Sequence, residues 1–82
     1  MKKEKFTETD KEIMEKIGKR MKELRIKANY KSSELFAYEQ GISRAQYGRY
    51  ESGTNITVVS LTKILTALNV TFEEFFQGFD KP

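Results

Sequence analysis

The sequence contains neither cysteine nor histidine. Without thiolate or imidazole there is no Cys/His zinc site, no Ser-His or Cys-His nucleophile and no disulfide framework. No catalysis, metal or organic cofactor is therefore expected, and stability must come from packing. Long apolar runs are missing too, and none approaches the roughly 20 residues needed to span a bilayer. The N-terminal MKKEKF lacks the apolar stretch that follows the lysines of a secretory signal. These absences predict a cytoplasmic protein with no membrane partner. A single proline and five glycines leave few breaks in regular structure.

What is present, 82 residues with 38% apolar and 33% charged side chains, suits one compact helical domain rather than a disordered or collagen-like chain. The net charge of +3 conceals an asymmetry: residues 1–31 hold 11 Lys/Arg against 6 Asp/Glu, and residues 32–82 hold 4 against 6. A basic N-terminal part is compatible with a polyanionic partner, although a lysine-rich helix can equally be a solvated face.

Residues 1–9 read as a polar, basic arm, 10–79 as the folded domain and 80–82 as a tail. Thr9 followed by Glu12 offers a capping box, which starts a first helix near Asp10. Met14, Ile17, Met21, Leu24 and Ala28, with Ile13 beside them, lay an apolar stripe along it. Asn29-Tyr30 suits its end. Ser32 or Ser33 can cap a short second helix over residues 34–39, and Gly41 ends it. Ser43 can cap a third helix from Arg44 to Ser52 that stops at Gly53. Thr57 can cap a fourth, with Val58, Leu61, Ile64, Leu65 and Leu68 inward, and Thr71 a last short one over Phe72–Phe76. Nothing reads as strand or repeat.

From Ser33 as position one, Phe36 falls at four, Ala37 at five, Gly41 at nine, Ile42 at ten, Tyr47 at fifteen and Tyr50 at eighteen. Ala37 must be small because two helices nearly touch there, Gly41 makes the turn, and the larger four residues fix the interhelical angle of a helix-turn-helix. Tyr47 and Tyr50 could be a stacking platform for single strands, but their spacing of three suits the core beneath the third helix. The opposite face of that helix carries Ala45, Gly48, Arg49 and Ser52, flanked by Arg44 and Gln46.

On these residues, together with IGKRMKELR in the first helix and LTKILTALNVTFEEFF at the end, the chain resembles the lambda repressor/Cro class of helix-turn-helix regulators over about residues 13–76. The resemblance implies an all-α, five-helix DNA-binding domain whose third helix enters the major groove of double-stranded DNA. Arg44, Ala45 and Arg49, with Gln46 on the flank, are then the base readers: arginine suits guanine, glutamine adenine, and the alanine methyl a thymine methyl. Ser33, Ser43, Ser52, Thr54 and Asn55 would bind phosphate oxygens, and Lys2, Lys3, Lys5 and the basic first helix would add affinity independent of base sequence. Ser33 departs from the family, which usually has glutamine there. Arg25 and Glu51 match positions that often form an ion pair between the first and third helices.

Phe72, Phe75, Phe76 and Phe79 crowd the end of the chain and are candidates for a homodimer interface. The resemblance implies a transcriptional regulator, read as a repressor that occludes its operator as a homodimer. Two other readings remain open: an antitoxin that also holds a toxin, and a helical protein-interaction module without DNA binding. Glu73-Glu74 does not make an acid/base pair, because adjacent helical residues diverge by about 100°.

Overall fold

The computed structural model describes residues 5–80; Lys2, Lys3 and the last two residues of the tail lie outside them. Five helices follow one another: α1 (Glu8–Lys27), α2 (Ser33–Gln40), α3 (Arg44–Ser52), α4 (Val58–Leu68) and α5 (Phe72–Phe75). The described residues contain no strand, and no helix among them is long and apolar enough to cross a membrane. The all-α architecture is that expected of the sequence.

Each helix opens on a hydroxyl from the residue in front of it. Thr7, Ser32, Ser43, Thr57 and Thr71 accept a backbone N–H from three residues further on, which satisfies one of the donors a helix N-terminus leaves free. The expected start of α1 is corrected. Thr7, not Thr9, is the N-cap, and its backbone N–H donates to Asp10 Oδ2 at 2.9 Å. The earlier start places Glu8 and Asp10 in the first turn, where carboxylates oppose the positive end of the helix dipole, and shortens the arm by two residues. Between the candidate serines Ser32 is the cap, and Ser33 is the first residue of α2.

The three middle helices stop where the chain takes left-handed backbone. Gly41 has φ +69° at the end of α2 and Gly53 φ +105° at the end of α3, a region open to glycine because it has no Cβ. Asn69 does the same for α4 at φ +58°, a conformation that asparagine tolerates better than most residues.

The core joins Met21 and Leu24 of α1, Phe36 and Ala37 of α2, Tyr47 and Tyr50 of α3, Leu61, Ile64, Leu65 and Leu68 of α4, and Phe75 of α5. Phe36 sits at its centre, with ring centroids 5.0 Å from both Tyr30 and Tyr47. Sequence reading misses one contact of α1. Gly18 is buried against the end of α3, where a Cβ would lie 2.6 Å from the Glu51 carbonyl oxygen and 2.7 Å from that of Tyr50. The two backbones meet there with no side chain between them.

The basic character of α1 is partly spent inside the protein. Arg20 donates from Nε to the Phe75 carbonyl (3.0 Å) and from Nη2 to that of Glu74 (2.7 Å), and Lys16 donates to the Phe79 carbonyl (3.2 Å). Arg20 thus closes the carbonyl end of α5, where positive charge is favourable, and Lys16 ties α1 to the turn that follows it.

Candidate functional site

The third helix divides sharply into two sides. Tyr47 is 0% exposed and Tyr50 8%, whereas Arg44, Ala45 and Arg49 are exposed and Gln46 is half-buried. The tyrosines therefore brace α3 from behind and leave a small face with long cationic side chains turned to solvent. Gly48 belongs to that face, and a methyl added there would meet nothing within 4 Å. Glycine inside a helix costs about 1 kcal/mol relative to alanine, and no neighbour within the protein requires it.

On the outward face Arg49 Nη2 donates to Gln46 Oε1 at 2.9 Å, one turn away. The remaining guanidinium donors stay available, so Arg49 keeps the planar fork that matches paired acceptors. Arg44 is the first residue of the helix, where an exposed cation reaches beyond its end.

The candidate anion-binding residues are placed unequally. Ser43 Oγ accepts the Gln46 N–H (3.3 Å), and this acceptor role leaves its hydroxyl proton free. Ser52 Oγ donates to the Gly48 carbonyl (3.0 Å), so its proton is engaged within α3. Ser33 is half-buried at the start of α2, where backbone N–H groups point out of the helix end. Thr54 and Asn55 are exposed in the loop that leaves α3.

Behind this face a buried ion pair fixes the orientation of α3. Arg25 donates from Nε to Glu51 Oε2 at 2.7 Å and from Nη2 to Oε1 at 3.2 Å, the side chains being 5% and 10% exposed. A third donor, Nη1, reaches the Tyr30 carbonyl at 2.6 Å. One guanidinium thus ties α1 to the loop before α2 and to α3 in a two-pronged geometry that resists rotation. The hydrogen bond to Glu51 raises the Arg25 pKa despite the opposing effect of burial. Tyr47 lies beside the pair. Burial first, then the Glu51 carboxylate, raises its phenol well above the ordinary value, and its hydroxyl has no hydrogen-bond partner among the described residues.

The terminal aromatic residues require a correction. Phe75 is 0% exposed and part of the core, so it cannot meet a second copy. Phe76 and Phe79 are half-buried and pack edge-on at 4.9 Å, and Phe72, 44% exposed, stacks on Phe76 at 6.4 Å. The aromatic surface that looks excessive for a short helix mostly closes the base of the domain.

No group of metal-ligating side chains occurs among the described residues. The exposed face of α3 presents Ala45 and the cationic side chains of Arg44 and Arg49 to solvent.

Comparison with known proteins gives the same picture. Residues 21–75 match a helix-turn-helix protein family. The chain is also similar to the control protein C.MunI of a Mycoplasma species, 32% identical over 71 residues that make up 85% of this chain and 96% of the relative.

Proposed function

The chain belongs to the lambda repressor/Cro-like helix-turn-helix family of DNA-binding transcriptional regulators, and from that premise we propose that it acts as a homodimeric repressor that covers promoter DNA. The observation that carries the reading is the two-sidedness of α3: Tyr47 and Tyr50 are held in the core while Arg44, Ala45, Gly48 and Arg49 form an unobstructed outer face. In this role α3 lies in the major groove, Arg44 and Arg49 address guanine edges, the Ala45 methyl packs on a thymine methyl, and Gln46 lies on the flank. Ser43, Ser33, Thr54 and Asn55 hold phosphates on either side and set the register of the helix in the groove. Ser52 contributes only when its hydroxyl leaves the Gly48 carbonyl.

The relative's name, a control protein, favours a regulator over an antitoxin and over a module without DNA binding. Repression by occlusion needs only tight, specific placement on the promoter, which one helical domain per half-site supplies.

Selection of bound duplexes from a random pool, followed by transcription from a promoter that contains the selected site, tests the reading. A recovered consensus with two related half-sites and transcription that falls as protein is added are expected. Arg44→Ala should lose about tenfold or more on the selected site, as expected for a bidentate base contact worth roughly 1–3 kcal/mol, and lose much less on random duplex. Equal losses on both would make Arg44 a phosphate contact. A pool that yields no consensus would overturn sequence-specific regulation.

A further inference from the structure

Between residues 54 and 72 the chain carries a single charged side chain, Lys63, although 33% of the whole sequence is charged. Lys63 is exposed on α4, and among the described residues no carboxylate pairs with it. It lines a small cleft of about 250 Å³ between α4 and the start of α3, shared with Ser43, Gln46, Tyr50, Ser60 and the apolar Ile64. No aspartate or glutamate lines this cleft.

The polar side chains of the cleft have spent their acceptors within the protein and kept their donors. Ser43 Oγ accepts the Gln46 N–H at 3.3 Å, Gln46 Oε1 accepts from Arg49 Nη2 at 2.9 Å, and Ser60 Oγ accepts the Thr57 hydroxyl at 3.0 Å. Both serine protons and the Gln46 amide hydrogens are left over. Tyr50 adds a donor that the fold itself does not use. Only 8% of the residue is exposed, and the tyrosine hydroxyl that is hydrogen-bonded among the described residues is that of Tyr30. The Tyr47 hydroxyl is sealed in the core, whereas Tyr50 reaches the wall of the cleft.

We propose that this cleft binds a phosphate group, with Lys63 as its cation and the hydroxyls of Tyr50, Ser43 and Ser60 as its neutral donors. A phosphate brings negative charge and oxygen acceptors, which one ammonium and several unused donors match. A cationic ligand would meet Lys63 with no carboxylate to offset it. Ser43 and Gln46 flank Arg44 and Ala45, so the cleft lies at the edge of the DNA-facing side of α3. The phosphate is either one of the duplex backbone or a free phosphate ion. In the first case the inference rests on the DNA-binding reading and adds an anchor from α4 to those of α3 and its loops.

Binding of the full chain to the selected and to random duplex over about 50 to 200 mM salt, with thermal denaturation in inorganic phosphate and in chloride at equal ionic strength, tests this. Lys63→Met keeps a good helix former at an exposed position, so the fold should hold. If the phosphate belongs to the duplex, Lys63→Met should weaken both duplexes by a similar factor and reduce the slope of log affinity against log salt by about one. Tyr50→Phe changes no charge, and should weaken both duplexes about threefold or more with the slope unchanged. If the phosphate is free, inorganic phosphate should raise the melting temperature of the wild type more than that of either variant, and duplex affinity should not change. A loss in Lys63→Met with Tyr50→Phe unaffected would make Lys63 a surface cation and overturn the cleft. Folded variants that match the wild type in both measurements would also overturn it and leave the regulator reading intact. A wild type that binds no duplex would overturn that reading, and the melting comparison would then decide the cleft alone.

Discussion

Gly18 of α1 lies so close to Glu51 of α3 that a methyl group on its Cα would stand 2.6 Å from the Glu51 carbonyl oxygen. The obstacle is backbone and cannot swing aside, so the glycine sets how closely α1 approaches the back of α3. Gly18→Ala should lower stability by about 1–3 kcal/mol, the usual cost of overpacking a filled site, despite alanine being the better helix former. Chemical denaturation would measure this, and DNA affinity should fall with it because α3 must shift. A variant as stable as the wild type would mean that the two helices can separate at no cost.

Gly48 predicts the opposite sign. Among the described residues nothing beyond the helix's own backbone lies within 4 Å of a methyl placed there, so Gly48→Ala should gain up to about 1 kcal/mol from helix propensity. Its position on the outer face, between Ala45 and Arg49, makes the same methyl an obstruction to a base edge or sugar. A higher melting temperature with weaker binding to the selected duplex is the expected pair of results. A stabilised variant with unchanged binding would show that DNA does not approach α3 at this residue.

Removing Arg25 strands a carboxylate. Glu51, 10% exposed, would lose both guanidinium bonds, and Arg25→Met should destabilise the fold by about 3 kcal/mol, the scale of breaking one partner out of a buried pair. Arg25→Met/Glu51→Leu should recover much of that loss, because no charge is then left buried. Thermal melts of the two variants decide the matter; a double variant no better than the single would place the cost in packing around the arginine stem.

Tyr47 makes stability sensitive to alkali. Its phenol, pushed up by burial, keeps its proton in the folded protein when an unfolded tyrosine would lose it near pH 10. Above that pH the unfolded chain binds fewer protons, so the free energy of unfolding falls as pH rises. Tyr47→Phe should flatten this decline. At neutral pH it should also gain about 1 kcal/mol, since it removes a buried hydroxyl without a partner. Melting temperatures followed from about pH 8 to 11, across the tyrosine range, test both parts. A variant less stable at neutral pH would show that the hydroxyl forms a bond worth keeping.

The helix-turn-helix frame was legible because its steric demands leave few residue types at each place. Phe36, Ala37, Gly41, Ile42, Tyr47 and Tyr50 satisfy them together, and the inward and outward sides of α3 followed from spacing alone. Gly18 was not legible, since a glycine within a helical pattern looks only like a weak helix former and its partner here is a carbonyl. Arg20 and Lys16 were hidden among lysines that look solvated, because a cation that donates to a carbonyl distant in sequence has no local signature. The start of α1 was ambiguous for a different reason: Thr7 with Asp10 and Thr9 with Glu12 fit the same capping pattern. At the other end Phe75 was misplaced because a short, ring-rich segment does not reveal which rings close the core.

The hydroxyl at every helix start has a consequence for how fast the protein forms. Thr7, Ser32, Ser43, Thr57 and Thr71 each mark a helix boundary through residues no more than three positions away, so these boundaries can form before distant parts of the chain meet. What remains is to set five short rods at their mutual angles, a topology rich in local contacts of the kind that assembles in microseconds to milliseconds. A chain that opens while off its duplex can therefore regain its shape quickly, without waiting on a disulfide.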